Sequence, residues 1–204
     1  MKHLLLPFVA LFSLLSAACS PTTINAVWKD PAYTTTPKKV FVVAVLKNET
    51  NRRVLEDEFV RQLKQKGVEG IAAYQAFGGK EPENKDLVIA MVKESGADAV
   101  LVSRILDKRT EQRSVPGTAY TTADAYYRSW PGYYGAAYTT TYYTPGYTVT
   151  DQFAIAETNL FNVANEGLAW TVSTETWLDN TPVSLLKGYA TTVINAMQDD
   201  NLLK

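Results

Sequence analysis

The stretch VFVVAVL, Val40 to Leu46, has no polar face. A strand that is apolar on both sides must sit inside a sheet and be covered above and below, so this short run points to a layered α/β protein. The residues around it fit that demand. NETNRRVLEDEFVRQLKQKG, Asn48 to Gly67, carries Leu55, Phe59 and Leu63 four residues apart, an apolar stripe for one helix face, with cap candidates at Asn48 to Asn51 and a stop at Gly67. Val68 to Tyr74 reads as a second, shorter strand. Residues 85–95 read as a helix with Leu87, Val88, Met91 and Val92 inward and Gly96 as its end. ADAVLVSRIL then returns as a third strand, and the first half is β-α-β-α-β.

Past residue 148 the period changes to two. TVTDQFAIAETNLFNV and LAWTVSTETWL alternate apolar with polar around ANEG, Ala164 to Gly167, and predict an antiparallel hairpin closed by the glycine. A last helix follows, with Asn180 or Thr181 as cap, Pro182 in its first turn, and a stripe of Val183, Leu186, Tyr189, Ala190, Val193 and Met197. The expected fold is one α/β domain over 38–204 with a mixed sheet, in the order β-α-β-α-β, insert, β-β-α. Strands, helices and turns in these patterns resemble the envelope domains related to the amino-terminal domain of TolB and to the curli-secretion lipoprotein. The likeness lies in the strand after Lys38-Lys39, the helix ending at Gly67, GADAVLVSRI, the hairpin LFNVANEGLAWTVSTETW and the final NLL, over about 38–113 and 149–203. It implies a mixed α/β sandwich used for protein contacts in the envelope, not for catalysis.

The insert departs from that likeness. Between about 114 and 148 lies AYTTADAYYRSWPGYYGAAYTTTYYTPGYTV, which holds nine of the chain's twelve tyrosines and only two formal charges, Asp124 and Arg128. A connection this long inside one domain is generally functional or disordered. Three readings stand: a low-complexity flap broken by its Pro and Gly residues, a binding surface of rigid aromatic area with hydroxyl handles, or a membrane-facing hairpin. On the binding reading the contact residues are Tyr126, Tyr127, Trp130, Tyr133, Tyr134, Tyr142 and Tyr143. A protein partner or a glycan such as peptidoglycan suits them.

The amino terminus reads as a secretory leader over 1–18: Lys2 and His3, an apolar run from Leu4 to Leu15, then Ser16-Ala17-Ala18 before Cys19. That ending resembles the lipobox of bacterial lipoproteins, with Ser16 where Leu is usual. The resemblance implies a diacylglyceryl group on the Cys19 sulfur and, after cleavage, an acyl group such as palmitate on its nitrogen. Ser20, rather than Asp, implies the outer membrane, with the domain facing the periplasm. Residues 19–37, rich in Pro and Thr, are expected to be a lipidated tether onto which Trp28 and Tyr33 dock.

Several chemistries are disfavoured. The one histidine, His3, falls in the leader, and Cys19 is the only cysteine. The mature chain therefore has no imidazole for a serine or cysteine triad and none of the usual His and Cys ligands of zinc, and no metal or cofactor is expected. Residues 20–113 carry sixteen Lys and Arg against thirteen Asp and Glu, and 114–204 carry three against eight, so neither half suits nucleic acid. Asp151, Glu157 and Glu175 could be a glycosidase pair or simply the solvent face of a sheet. SLLK, Ser184 to Lys187, matches S-x-x-K but lacks the companion motifs of penicillin-recognising enzymes. Arg52 and Arg53 are expected to pair with Glu56 and Asp57 one turn on. A non-catalytic accessory protein is the expectation, with a glycan-binding or glycan-cleaving module as the alternative.

Overall fold

The computed structural model describes residues 21–79, 85–122, 140–179 and 181–204. The leader, Cys19 and the site candidates Tyr126, Tyr127, Trp130, Tyr133 and Tyr134 lie outside the described residues, as does the side chain of Tyr142. In chain order the elements are β1 (Thr22–Lys29), β2 (Lys39–Val45), α1 (Glu49–Gln65), β3 (Glu69–Ala72), the single turn α2 (Ala73–Ala76), α3 (Lys85–Ser95), β4 (Ala99–Val115), β5 (Thr118–Thr122), β6 (Thr140–Thr144), β7 (Tyr147–Asn162), β8 (Leu168–Trp177) and α4 (Pro182–Asp199). Six strands form one open mixed sheet in the order β1-β8-β7-β4-β2-β3, and β5 pairs with β6 apart from it.

The run at Val40 is where the pattern placed it, between β3 and β4 and parallel to both. Val40, Val42 and Ala44 face α1 and α4, where Leu55, Phe59, Leu63, Ala190, Val193 and Met197 close the larger core. Phe41 and Val43 face the other way, onto Val92, Val88 and Met91 of α3. The run ends sooner than its composition suggests, for Val45 is 58% exposed. Asp98 of the GADAV stretch anchors the start of β2, accepting hydrogen bonds from the backbone N–H groups of Lys38 (2.8 Å) and Lys39 (3.1 Å). Gly67 and Gly96 both take positive φ after their helices, as helix-ending glycines do.

Five local expectations are corrected. The tether expected over 19–37 holds an edge strand instead: β1 runs antiparallel to β8, with Thr22 opposite Thr176 and Lys29 opposite Trp170. Tyr33 is buried in the main core, but Trp28 is 48% exposed. The second strand stops at Ala72, because the backbone N–H of Tyr74 turns to the Glu56 carboxylate (2.8 Å) rather than to a neighbouring strand. Leu87 and Val183, placed inward from periodicity, face outward, while Leu185 and Ile194 are buried. In the β7–β8 turn the left-handed residue is Glu166 (φ 56°), not Gly167, whose N–H is held by the Asn165 side chain (3.1 Å).

Candidate functional site: a projecting ribbon and the groove at its root

β4 and β7 are far longer than the strands beside them. β2 leaves β4 at Arg104, and β8 leaves β7 at Phe153, opposite Trp177. Six further pairs, from Thr110–Gln152 to Val115–Tyr147, have no third strand. At about 3.3 Å per residue this two-stranded ribbon projects roughly 20 Å past the sheet. Every β4 residue from Arg104 to Ser114 is exposed, so this part of the strand adds almost nothing to the core.

Ion pairs run along β4 from the body of the sheet into the ribbon. Arg104 meets Glu157 (2.8 Å), Arg109 meets Glu175 (2.7 Å) and Glu111, and Arg113 approaches Asp151 (3.8 Å). The Arg109 guanidinium also lies over the Phe153 ring, 5.0 Å from its centre. Exposed pairs of this kind contribute roughly 0.2–1 kcal/mol each. The three carboxylates weighed as a glycosidase pair are thus on the solvent face, each beside an arginine.

On the flap reading the proline and glycine residues of the insert break structure throughout, yet four of them form a defined junction. Pro116-Gly117 and Pro145-Gly146 lie opposite one another between the β4–β7 ribbon and the β5–β6 hairpin. The backbones approach so closely that a Cβ on Gly117 would stand 2.6 Å from the Thr144 carbonyl oxygen. One on Gly146 would stand 2.9 Å from the Val115 carbonyl oxygen. Only glycine fits at either place. Beyond the junction Thr118 to Thr122 pairs with Thr144 to Thr140, carrying the chain into the tyrosine-rich segment. Tyr143 and Tyr147 are 70% and 59% exposed.

At the root of the ribbon, on the helix side of the sheet, lies a groove of about 340 Å³. Leu55, Ile105, Ala154, Leu178, Leu185 and Leu186 make its walls, with Asn51 and Lys108 among its polar residues. Tyr189 forms part of the wall. Its buried hydroxyl bonds Ser103 Oγ (2.7 Å) and Thr158 Oγ1 (2.5 Å), tying α4 to β4 and β7. Burial pushes the Tyr189 phenol above its ordinary range despite these two partners. Periodicity placed Tyr189 inward but gave no sign of the groove. Its lining comes from five separated stretches of chain that only the fold brings together.

The remaining candidates take structural places. Ser184 of SLLK bonds back to the Thr181 carbonyl (2.9 Å) in the first turn of α4. Arg53 pairs with Glu49 (2.5 Å) and the Gly79 carbonyl (3.2 Å) rather than with Asp57, which accepts from the Tyr74 hydroxyl (2.8 Å). Glu56 was expected to serve Arg52 on the surface, but it is 1% exposed and receives the N–H groups of Ala44 and Tyr74. Burial raises its pKa against those donors and the charge of Arg52. Among the described residues no cluster of His, Cys, Asp or Glu could hold a metal, and no helix is long and apolar enough to cross a membrane.

No protein-family model and no curated protein matches the chain. Solved structures with a related arrangement include a PelC dodecamer from Paraburkholderia phytofirmans, 14% identical, covering 87% of this chain and 97% of that one at a TM-score of 0.49. They also include the lipoprotein GNA1162 from Neisseria meningitidis, 14% identical, covering 80% and 99% at a TM-score of 0.42. One neighbour is thus a bacterial lipoprotein, and the shared feature is the arrangement of the chain. At these identities and scores the likenesses decide neither partner nor chemistry.

Proposed function

We propose that this chain is a lipid-anchored accessory protein of the bacterial outer membrane that faces the periplasm and works without catalysis. It holds a protein partner through the β4–β7 ribbon and the tyrosine-rich segment at its tip. The observation that carries this reading is the ribbon itself. An unsupported two-stranded hairpin is marginal in water, and this one buries little of the core. Its aromatics provide contact area at low entropic cost, the usual currency of a binding surface. The leader and Cys19 supply the location.

The test is site-specific photocrosslinking from Tyr147, the exposed first residue of β7, in intact cells. It is repeated after residues 118–144 are replaced by a short Gly/Ser linker, which leaves β4, β7 and both Pro-Gly steps in place. Discrete protein adducts that vanish with the deletion are expected. Adducts to peptidoglycan alone, or an adduct pattern indifferent to the deletion, would overturn the reading.

A further inference from the structure

The groove at the ribbon's root lies beside the point where the described chain begins. The backbone N–H of Trp177 donates to the Pro21 carbonyl (2.9 Å), and the Thr22 and Thr176 hydroxyls are bonded (2.9 Å). Thr176 and Leu178, on either side of Trp177, both line the groove. Cys19 precedes Pro21 by two residues, which span at most about 7 Å. A lipid on the Cys19 sulfur therefore starts next to an apolar recess in its own domain.

We infer that this groove is a berth for one acyl chain of that lipid, occupied while the protein is away from a bilayer. The inference rests on the lipidation proposed above. The chemistry of the lining favours hydrocarbon over a polar ligand. Three hydroxyls of the wall, those of Ser103, Tyr189 and Thr176, are already spent on partners within the fold. Leu55, Leu178, Leu185 and Ala154 offer only apolar contact. Hydrocarbon needs no directed partner and gains by leaving water, so it suits a wall whose hydroxyls are already used, with the polar Asn51 and the exposed Lys108 the other polar side chains of the lining. The volume lies near the lower end of ligand pockets, which span about 300–1,000 Å³, and so fits one chain rather than a whole lipid. Leaving the groove for a bilayer exchanges one apolar setting for another, which makes release into a membrane easy and release into water costly.

The experiment feeds cells a fatty acid bearing a photoactivatable diazirine, purifies the full-length protein in mild detergent, removes the detergent and irradiates. Intact mass first reports whether Cys19 carries lipid. Peptide mapping then locates the adducts. Adducts on the segments holding Ile105, Leu178 and Leu185 are expected. Leu178→Lys, at a half-buried residue outside the strands, is expected to lower them about tenfold, because a charge in an apolar recess repels the chain. A lipidated protein with no adducts in the groove overturns the inference and leaves the anchoring intact. So do adducts shown by mixing isotope-labelled and unlabelled protein to come from a second copy. A protein without lipid on Cys19 overturns both. The wild-type map decides the matter even if the variant misfolds.

Discussion

Glu56 offers a test in which two effects oppose each other. Its Oε1 accepts from the Ala44 N–H (3.0 Å) and its Oε2 from the Tyr74 N–H (2.8 Å). Both donors are main-chain groups at the place where β3 ends and β2 loses its neighbour, and no strand can serve them. Glu56→Gln removes a buried charge, which is favourable, but it turns an NH2 group toward one of the two N–H donors. One buried donor is then unpaired, at a cost of about 1–3 kcal/mol. The mismatch should win, because both donors are fixed by backbone and cannot turn away. Urea unfolding at neutral pH should show a lower midpoint with an unchanged slope, equal to that loss. Glu56→Ala unpairs both donors and should cost roughly twice as much. The pH dependence has a definite sign. The folded pKa lies above the unfolded one, so the folded state binds the proton more tightly. Glu56's contribution is therefore largest below the unfolded carboxylate pKa and declines as pH rises through the folded one. Glu56→Gln should lack that decline, and the gap between the two proteins should narrow as pH rises. A Gln variant as stable as wild type at neutral pH would mean that relief of the buried charge offsets the unpaired donor in full, and would refute the reasoning.

Tyr189→Phe removes the hydroxyl shared by Ser103 and Thr158 and should cost about 1–3 kcal/mol, while Ser103→Ala in the Phe background should cost almost nothing more. A double-mutant cycle by urea unfolding checks this, and additive losses would argue against the shared hydroxyl. Gly146→Val should disrupt the Pro-Gly junction without touching the core. Hydrogen exchange should accelerate in β5 and β6, with the free energy of global unfolding changed by less than about 0.5 kcal/mol.

Legibility in the sequence followed the distance over which each element finds its partners. Val40 to Ala44 could be read because one neighbour, β3, lies a single βα unit away and its apolar character is needed whatever flanks it on the other side. The α1 stripe and the stops at Gly67 and Gly96 are equally local. β1 was not legible. TTINAVWK has the composition of a tether, and its partner β8 lies some 150 residues away. The outer half of β4 was hidden for a related reason. DKRTEQRSV has no apolar face, and it is a strand only because 147–155 lies opposite. Leu87 and Val183 show the limit of periodicity, which identifies a stripe without fixing the angle at which the helix meets the sheet. The aromatic content of the insert was plain, but the facing Pro-Gly steps required the register.

The proposed anchor and the ribbon leave the domain at the same end, which restricts where a partner can be met. Thr22 pairs with Thr176, Thr176 with Ala154, and Ala154 with Lys108, so one row across the sheet joins the start of β1 to the root of the ribbon. On a lipidated Cys19 the bilayer lies within about 7 Å of chain from Pro21, whereas the ribbon runs on for roughly 20 Å before β5 and β6 begin. On that proposal so short a tether would hold the ribbon close to the membrane, along its surface or against something embedded there. A flexible Gly/Ser spacer of about 20 residues inserted between Ser20 and Pro21, with an r.m.s. reach of roughly 25 Å, releases that constraint without changing any contact within the domain. Crosslinks from Tyr143 to a membrane-embedded partner should then fall sharply, while unfolding of the domain stays as it was. If the crosslinks persist undiminished, the partner is met in the open periplasm, and the short tether does not aim the ribbon.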